Sequence, residues 1–124
     1  MLLPKLTSGD GTQPDTDMCP LITAAHRDKV ASYIGAGADQ GATVVVDGRL
    51  EDVPSEGFFL GTTLLDHVTP EMTVSTDEIF GPVLRVVRPT PDVEALALCH
   101  NNPSPTSTPL RTPHAAATRR PPPP

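Results

Sequence analysis

Tryptophan is absent, and only four aromatic side chains, Tyr33, Phe58, Phe59 and Phe80, are spread over 124 residues. Aromatic rings supply much of the area a small core buries. With 37% hydrophobic residues in all, the chain has thin material for an independent fold. Its length allows one domain and not two. Cysteine is scarce too: Cys19 and Cys99 stand far apart in the sequence. Two such residues do not imply a disulfide scaffold, and a reduced, cytoplasmic protein is the expectation. No apolar run approaches the ~20 residues of a membrane span. Met1-Leu2-Leu3-Pro4 is too short for the core of a secretion signal and leads to no small-residue cleavage site.

Positive charge is the other shortage. All fifteen acidic residues lie at or before Glu94, with only Lys5, Arg27, Lys29, Arg49, Arg85 and Arg88 to set against them. A body this acidic repels phosphate backbones, which argues against nucleic-acid binding. Proline, by contrast, is in excess. Eight of sixteen fall between Pro103 and Pro124, so that segment can be neither helix nor central strand. It contains no glycine, acid or aromatic, and Leu110 is its one large aliphatic residue. The expected division is therefore a folded body over 1–103 and a proline-rich, disordered tail over 104–124.

Within the body, residues 7–20 are turn-forming. Thr23 to Ala38 has helical periodicity: Val30, Tyr33, Ile34 and Gly37 share a stripe, Thr23 can cap the start, and Gly41 suits a left-handed stop. Strands are expected over Ala42–Val46, over Phe58–Val68 with a break at Gly61, and over Gly81–Val87, with one helical turn inside Pro70–Glu78. Thr90-Pro91-Asp92 opens a second helix, with Val93, Leu96 and Ala97 as its stripe, ending at Asn101-Asn102-Pro103. This order predicts an α/β fold with a parallel or mixed sheet and flanking helices. Three short strands are too few to cover two helices, so exposed apolar stripes and marginal stability are expected.

Few residues invite chemistry. Cys19 precedes a helix start, where a thiolate can be favoured. Cys99 and His100, adjacent on a helix, point apart and cannot pair. Both cysteines are better taken as packing or surface residues. Asp10, Asp15 and Asp17 crowd one loop but lack the glycine and distant glutamate of a calcium site. His26, His67, His100 and His114 are scattered, so no metal is expected. Gly35, Gly37 and Gly41 imitate a dinucleotide fingerprint, but they follow a helix where the fingerprint follows a strand. There remains Thr76-Asp77-Glu78-Ile79-Phe80-Gly81-Pro82-Val83-Leu84. In extended chain Glu78 and Phe80 lie on one side, the carboxylate able to accept the vicinal hydroxyls of a ribose and the ring able to pack on a flat heterocycle. On the residues alone, a structural role for this stretch stands level with that one.

Glu78-Ile79-Phe80-Gly81-Pro82-Val83 resembles the C-terminal signature of the NAD(P)-dependent aldehyde dehydrogenase superfamily. Gly9-Asp10-Gly11-Thr12, Pro14-Asp15-Thr16-Asp17-Met18, Pro20-Leu21-Ile22 and His26-Arg27-Asp28-Lys29-Val30 are similar to its methylmalonate-semialdehyde dehydrogenase branch. So are Val45-Val46-Asp47-Gly48-Arg49, Gly57-Phe58-Phe59-Leu60-Gly61 and Asp66-His67-Val68-Thr69-Pro70. The likeness runs from about Gly9 to Pro103.

The resemblance implies part of a catalytic domain, a C-terminal-half fragment. The whole enzyme would oxidise a semialdehyde with NAD through a cysteine thioester released to coenzyme A, with decarboxylation. On this chain it makes Glu78 the carboxylate that holds the nicotinamide-side ribose, with Phe80 packing beside ribose and ring. It implies no catalytic residue here, because the nucleophilic cysteine lies upstream of Gly9 in that family and Cys19 stands where glycine is usual. Thr62 replaces a proline, and after Pro103 an aromatic-Gly-Asn-Gly-Thr run is replaced by Ser104-Pro105-Thr106-Ser107. The abrupt change is expected of a frame-shifted tail, a true proline-rich linker being the alternative. Partners implied are the semialdehyde and, in a homo-oligomeric family, full-length subunits. The isolated chain is expected to be inactive. The competing reading is a non-catalytic truncated subunit or the inert product of a damaged gene.

Overall fold

The computed structural model describes residues 6–89 and 97–98. Helix α1 spans Ala24–Asp39 and starts where the sequence places it: Thr23 is extended and its hydroxyl accepts the His26 backbone N–H at 3.1 Å. Val30 and Ile34 are fully buried, with Gly37 beside them. A Cβ on Gly37 would lie 3.1 Å from Leu65 and from Val74, so the missing side chain lets the helix settle onto what it covers. Gly41, at φ +105°, stops it. The Gly41 N–H reaches Ala38 O and the Ala42 N–H reaches Gly37 O, closing the two orphan carbonyls in a Schellman arrangement.

Three strands follow: β1 (Thr43–Val46), β2 (Thr63–Asp66) and β3 (Val83–Arg85), in spatial order β1-β2-β3. The sheet is mixed. β1 runs antiparallel to β2 with a bulge between Val44 and Val46, whereas β3 runs parallel to β2, pairing Thr63 with Val83 and Leu65 with Arg85. Central β2 alternates: Thr63 and Leu65 are buried, Leu64 and Asp66 half-buried. Helix α2 (Thr73–Thr76) lies in the crossover to β3. Met72 cannot cap α2, and the Gln40 side chain at the end of α1 takes that place, accepting the Thr73 N–H at 2.9 Å. Val30, Ile34, Leu60, Leu65, Val68, Met72, Val74 and Ile79 then close one core between α1, α2 and the sheet. Burying each such side chain contributes about 1.5–3 kcal/mol before entropy is set against it.

Three expectations need correction. The segment Phe58–Val68 is strand only over Thr63–Asp66. Before it, Glu51 folds back so that its carboxylate accepts the Thr62 N–H at 3.2 Å, satisfying that amide outside any ladder. The third strand is likewise confined to Val83–Arg85. Nor is the stripe of α1 left open, since β2 and α2 bury it. The exposed apolar residues lie elsewhere, among them Ile22, Leu50 and Leu84. The second helix falls outside the described residues except for Ala97 and Leu98, which are helical, and the 104–124 tail lies wholly outside them. No helix among the described residues is long and apolar enough to cross a membrane.

Candidate functional site

The residues singled out by sequence, Glu78 and Phe80, sit on the loop that leads from α2 into β3. Its two ends are fixed: α2 by Gln40, and β3 by Arg85, whose guanidinium donates to Val74 O at 2.6 Å. Ile79 turns inward and is buried, while Glu78 and Phe80 on either side of it are exposed, Phe80 by 74%. Phe80 is not extended, however. Its φ is +56°, in the left-handed region that an aromatic residue adopts only against a steric cost. The alternation argument therefore fails at this residue, although both side chains do face solvent.

α1 holds the loop along one face. The Tyr33 hydroxyl donates to Asp77 Oδ2 at 2.7 Å. Val30 lies directly under Gly81, where a Cβ would approach both its methyls to 2.8 Å. His26 Nε2 is 2.8 Å from Phe80 O; because a carbonyl only accepts, that ring nitrogen carries the proton. His26, Val30 and Tyr33 follow at i, i+4 and i+7, so one stripe of one helix grips the loop at three points. The Tyr33 bond, followed by that of the Thr76 hydroxyl, holds the Asp77 carboxyl below its ordinary value of 3.8, and Lys29 adds attraction. The same bond to Asp77 raises Tyr33 above 10.0. Sequence reasoning missed His26, Tyr33 and Asp77 in these roles. The one available signal was that His26 extends the Val30–Tyr33–Ile34 stripe by a turn.

A nucleotide ribose and a flat ring ask for an acceptor carboxylate and an exposed apolar face, held still. The loop presents both. The Glu78 carboxylate makes no hydrogen bond among the described residues, so its lone pairs are open to hydroxyl donors. The other candidates resolve differently. Cys19 is an exposed free thiol on the 7–20 loop, and Cys99 with His100 lies outside the described residues. Asp10 is occupied by its own turn, accepting the Thr12 N–H at 2.9 Å and the Thr12 hydroxyl at 3.0 Å, which lowers its pKa. Gly35 and Gly37 are inside α1 and Gly41 ends it, so they form no phosphate loop. Among the described residues no three His, Cys, Asp or Glu side chains converge as a metal site would require.

The family model described as "Aldehyde dehydrogenase family" matches residues 2–113. The chain belongs to the aldehyde dehydrogenase family. The match extends ten residues past Pro103. A malonate-semialdehyde dehydrogenase of Pseudomonas aeruginosa is 52% identical over 99 residues, covering 78% of this chain and 20% of that protein. Malonate-semialdehyde dehydrogenase 2 of Shouchella clausii is 47% identical over 98 residues, covering 79% and 20%. Among solved structures, methylmalonate-semialdehyde dehydrogenase from Oceanimonas doudoroffii superposes with a TM-score of 0.76 at 49% identity, over 81% of this chain and 21% of that one. The Mycobacterium tuberculosis aldehyde dehydrogenase complexed with NAD+ gives 0.75 at 31% identity, over 81% and 21%. The chain thus spans about a fifth of the length of the aldehyde dehydrogenases it matches, and its mixed sheet with packed helices is part of that family's domain.

Proposed function

We propose that this chain supplies the nicotinamide-side wall of the coenzyme site in an NAD-dependent, CoA-acylating malonate- or methylmalonate-semialdehyde dehydrogenase. One observation carries the reading: Glu78 and Phe80 face solvent from a loop that α1 contacts at three points and whose flanking elements are tied by Gln40 and Arg85, which suits a wall for ribose and ring. Bound there, NAD would supply the acceptor for the hydride of the aldehyde carbon. Glu78 would accept hydrogen bonds from the ribose hydroxyls, and Phe80 would pack beside ribose and ring. A ring fixed in orientation shortens the search for a reactive geometry, an effective-molarity contribution. The attacking thiolate and the adenine side come from sequence outside this chain, so the chain alone carries out no oxidation. Cys19 is not proposed as a substitute: it is an exposed free thiol on the 7–20 loop.

The test is a chimera in which residues 9–103 replace the matching segment of the Pseudomonas aeruginosa relative. Glu78→Gln in that chimera removes the charge from the ribose acceptor. Hydrogen bonds to charged groups contribute about 1.5–3 kcal/mol, so hydride transfer in single turnover should slow roughly 10- to 150-fold with circular dichroism unchanged. Unchanged turnover together with unchanged NAD affinity would remove Glu78 from the coenzyme site.

A further inference from the structure

We infer that His26 is a positioning residue for the coenzyme wall: through Phe80 O it fixes the left-handed backbone at Phe80 and so aims the ring. The inference rests on the coenzyme reading of Glu78 and Phe80. Phe80 is one of two described non-glycine residues with positive φ, and the conformation has no intrinsic preference to sustain it. Something must hold it from outside. The His26 ring, 54 residues away in sequence, donates to that residue's own carbonyl at 2.8 Å. The backbone of His26 is itself held in the first turn of α1, because the Thr23 hydroxyl that caps the helix accepts the His26 N–H. The imidazole then reaches the Phe80 carbonyl from a fixed start of α1. Tyr33 acts at a distance from this point, through the side chain of Asp77, and Val30 supplies only a surface for Gly81. Losing the His26 bond leaves a strained aromatic residue free to relax toward the extended region, which swings its side chain off the wall.

The test compares His26→Ala with His26→Gln, glutamine keeping an N–H donor of similar reach. In the full 124-residue chain, NMR of the imidazole nitrogens should find Nε2 protonated. His26→Ala should move the Phe80 and Gly81 signals and raise their amide exchange about tenfold, while those of Ile34 and Leu65 stay in place. His26→Gln should restore them. In the chimera, His26→Ala should raise KM for NAD and lower kcat/KM about tenfold, again with rescue by glutamine. A bare Nε2, Phe80 signals indifferent to alanine, absence of rescue, or equal movement of the core signals would overturn the inference. Should Glu78→Gln prove silent in the chimera while His26→Ala still moves Phe80, the coenzyme reading falls, and with it the aim of the wall, leaving His26 as anchor of the loop alone.

Discussion

Alanine at Gly81 forces a methyl into the helix that carries the loop. Its Cβ would lie 2.8 Å from both Cγ1 and Cγ2 of Val30, more than half an ångström inside ordinary carbon contact. Val30 cannot step aside, being fully buried and β-branched on a helix, where one χ1 rotamer dominates. The loop must lift. Overpacking of this kind costs roughly 1–3 kcal/mol, a factor of about 5 to 150 in the local folding equilibrium. The compensating change is Val30→Ala, which removes both opposing methyls. Alone it should cost about 2 kcal/mol, two buried carbons at ~0.8 each with a small cavity added. In that background the methyl of Gly81→Ala enters vacated space, so the double variant should be no less stable than Val30→Ala. The coupling is then about 1–3 kcal/mol, well beyond the few tenths by which independent sites deviate from additivity. Amide hydrogen exchange along α1, measured on the four proteins, reads local opening even where no sharp global transition exists. Additive penalties, or a Gly81→Ala protein with unaltered exchange, would refute the packing of this loop on Val30.

Tyr33 is the only tyrosine in the chain, so its ultraviolet titration can be read without overlap. Its hydrogen bond to Asp77 raises the phenol above 10.0 and lowers the carboxyl below 3.8. The carboxyl's contribution is complete above the ordinary 3.8 and lost as pH falls through its depressed value. The phenol's is complete below 10.0 and lost as pH rises through its elevated value. Asp77→Ala should therefore bring the tyrosine midpoint down toward 10.0, and a midpoint that does not move would deny the tether. The purified chain should form no NADH from malonate semialdehyde, NAD and CoA. Production that disappears in Cys19→Ser would make Cys19 a nucleophile.

What was legible in the sequence was whatever neighbouring residues decide. Thr23, the Val30–Ile34–Gly37 stripe and Gly41 announce α1 from cap to stop because each acts within a turn or two of the backbone. The strand-forming runs were legible for the same reason, but not their ends or directions. That β1 meets β2 antiparallel while β3 meets it parallel depends on how the 47–62 loop and then the α2 crossover return the chain, which no local pattern encodes. Glu51 ends the second extended run from eleven residues away. At the site, the motif located Glu78 and Phe80, yet the left-handed backbone at Phe80 contradicts what an aromatic residue prefers. The contact that answers it, from His26 to Phe80 O, spans 54 residues.

This last contrast bears on how far the loop is shaped by residues of this chain itself. A loop shaped chiefly by other segments would show few contacts within its own chain. Instead, all three grips on residues 77–81 come from α1, within the described part of this chain, and the elements at both ends of the loop are tied by Gln40 and Arg85. The contact to Phe80 O therefore comes from within this chain, from a helix whose own cap and stop are formed by neighbouring residues. In the coenzyme reading proposed above, the shape of the wall is thus set by residues of this chain. On that reading Glu78→Gln and His26→Ala should separate in a chimera: the first weakens a contact and leaves the wall in place, and the second leaves the contact residues in place and lets the wall move.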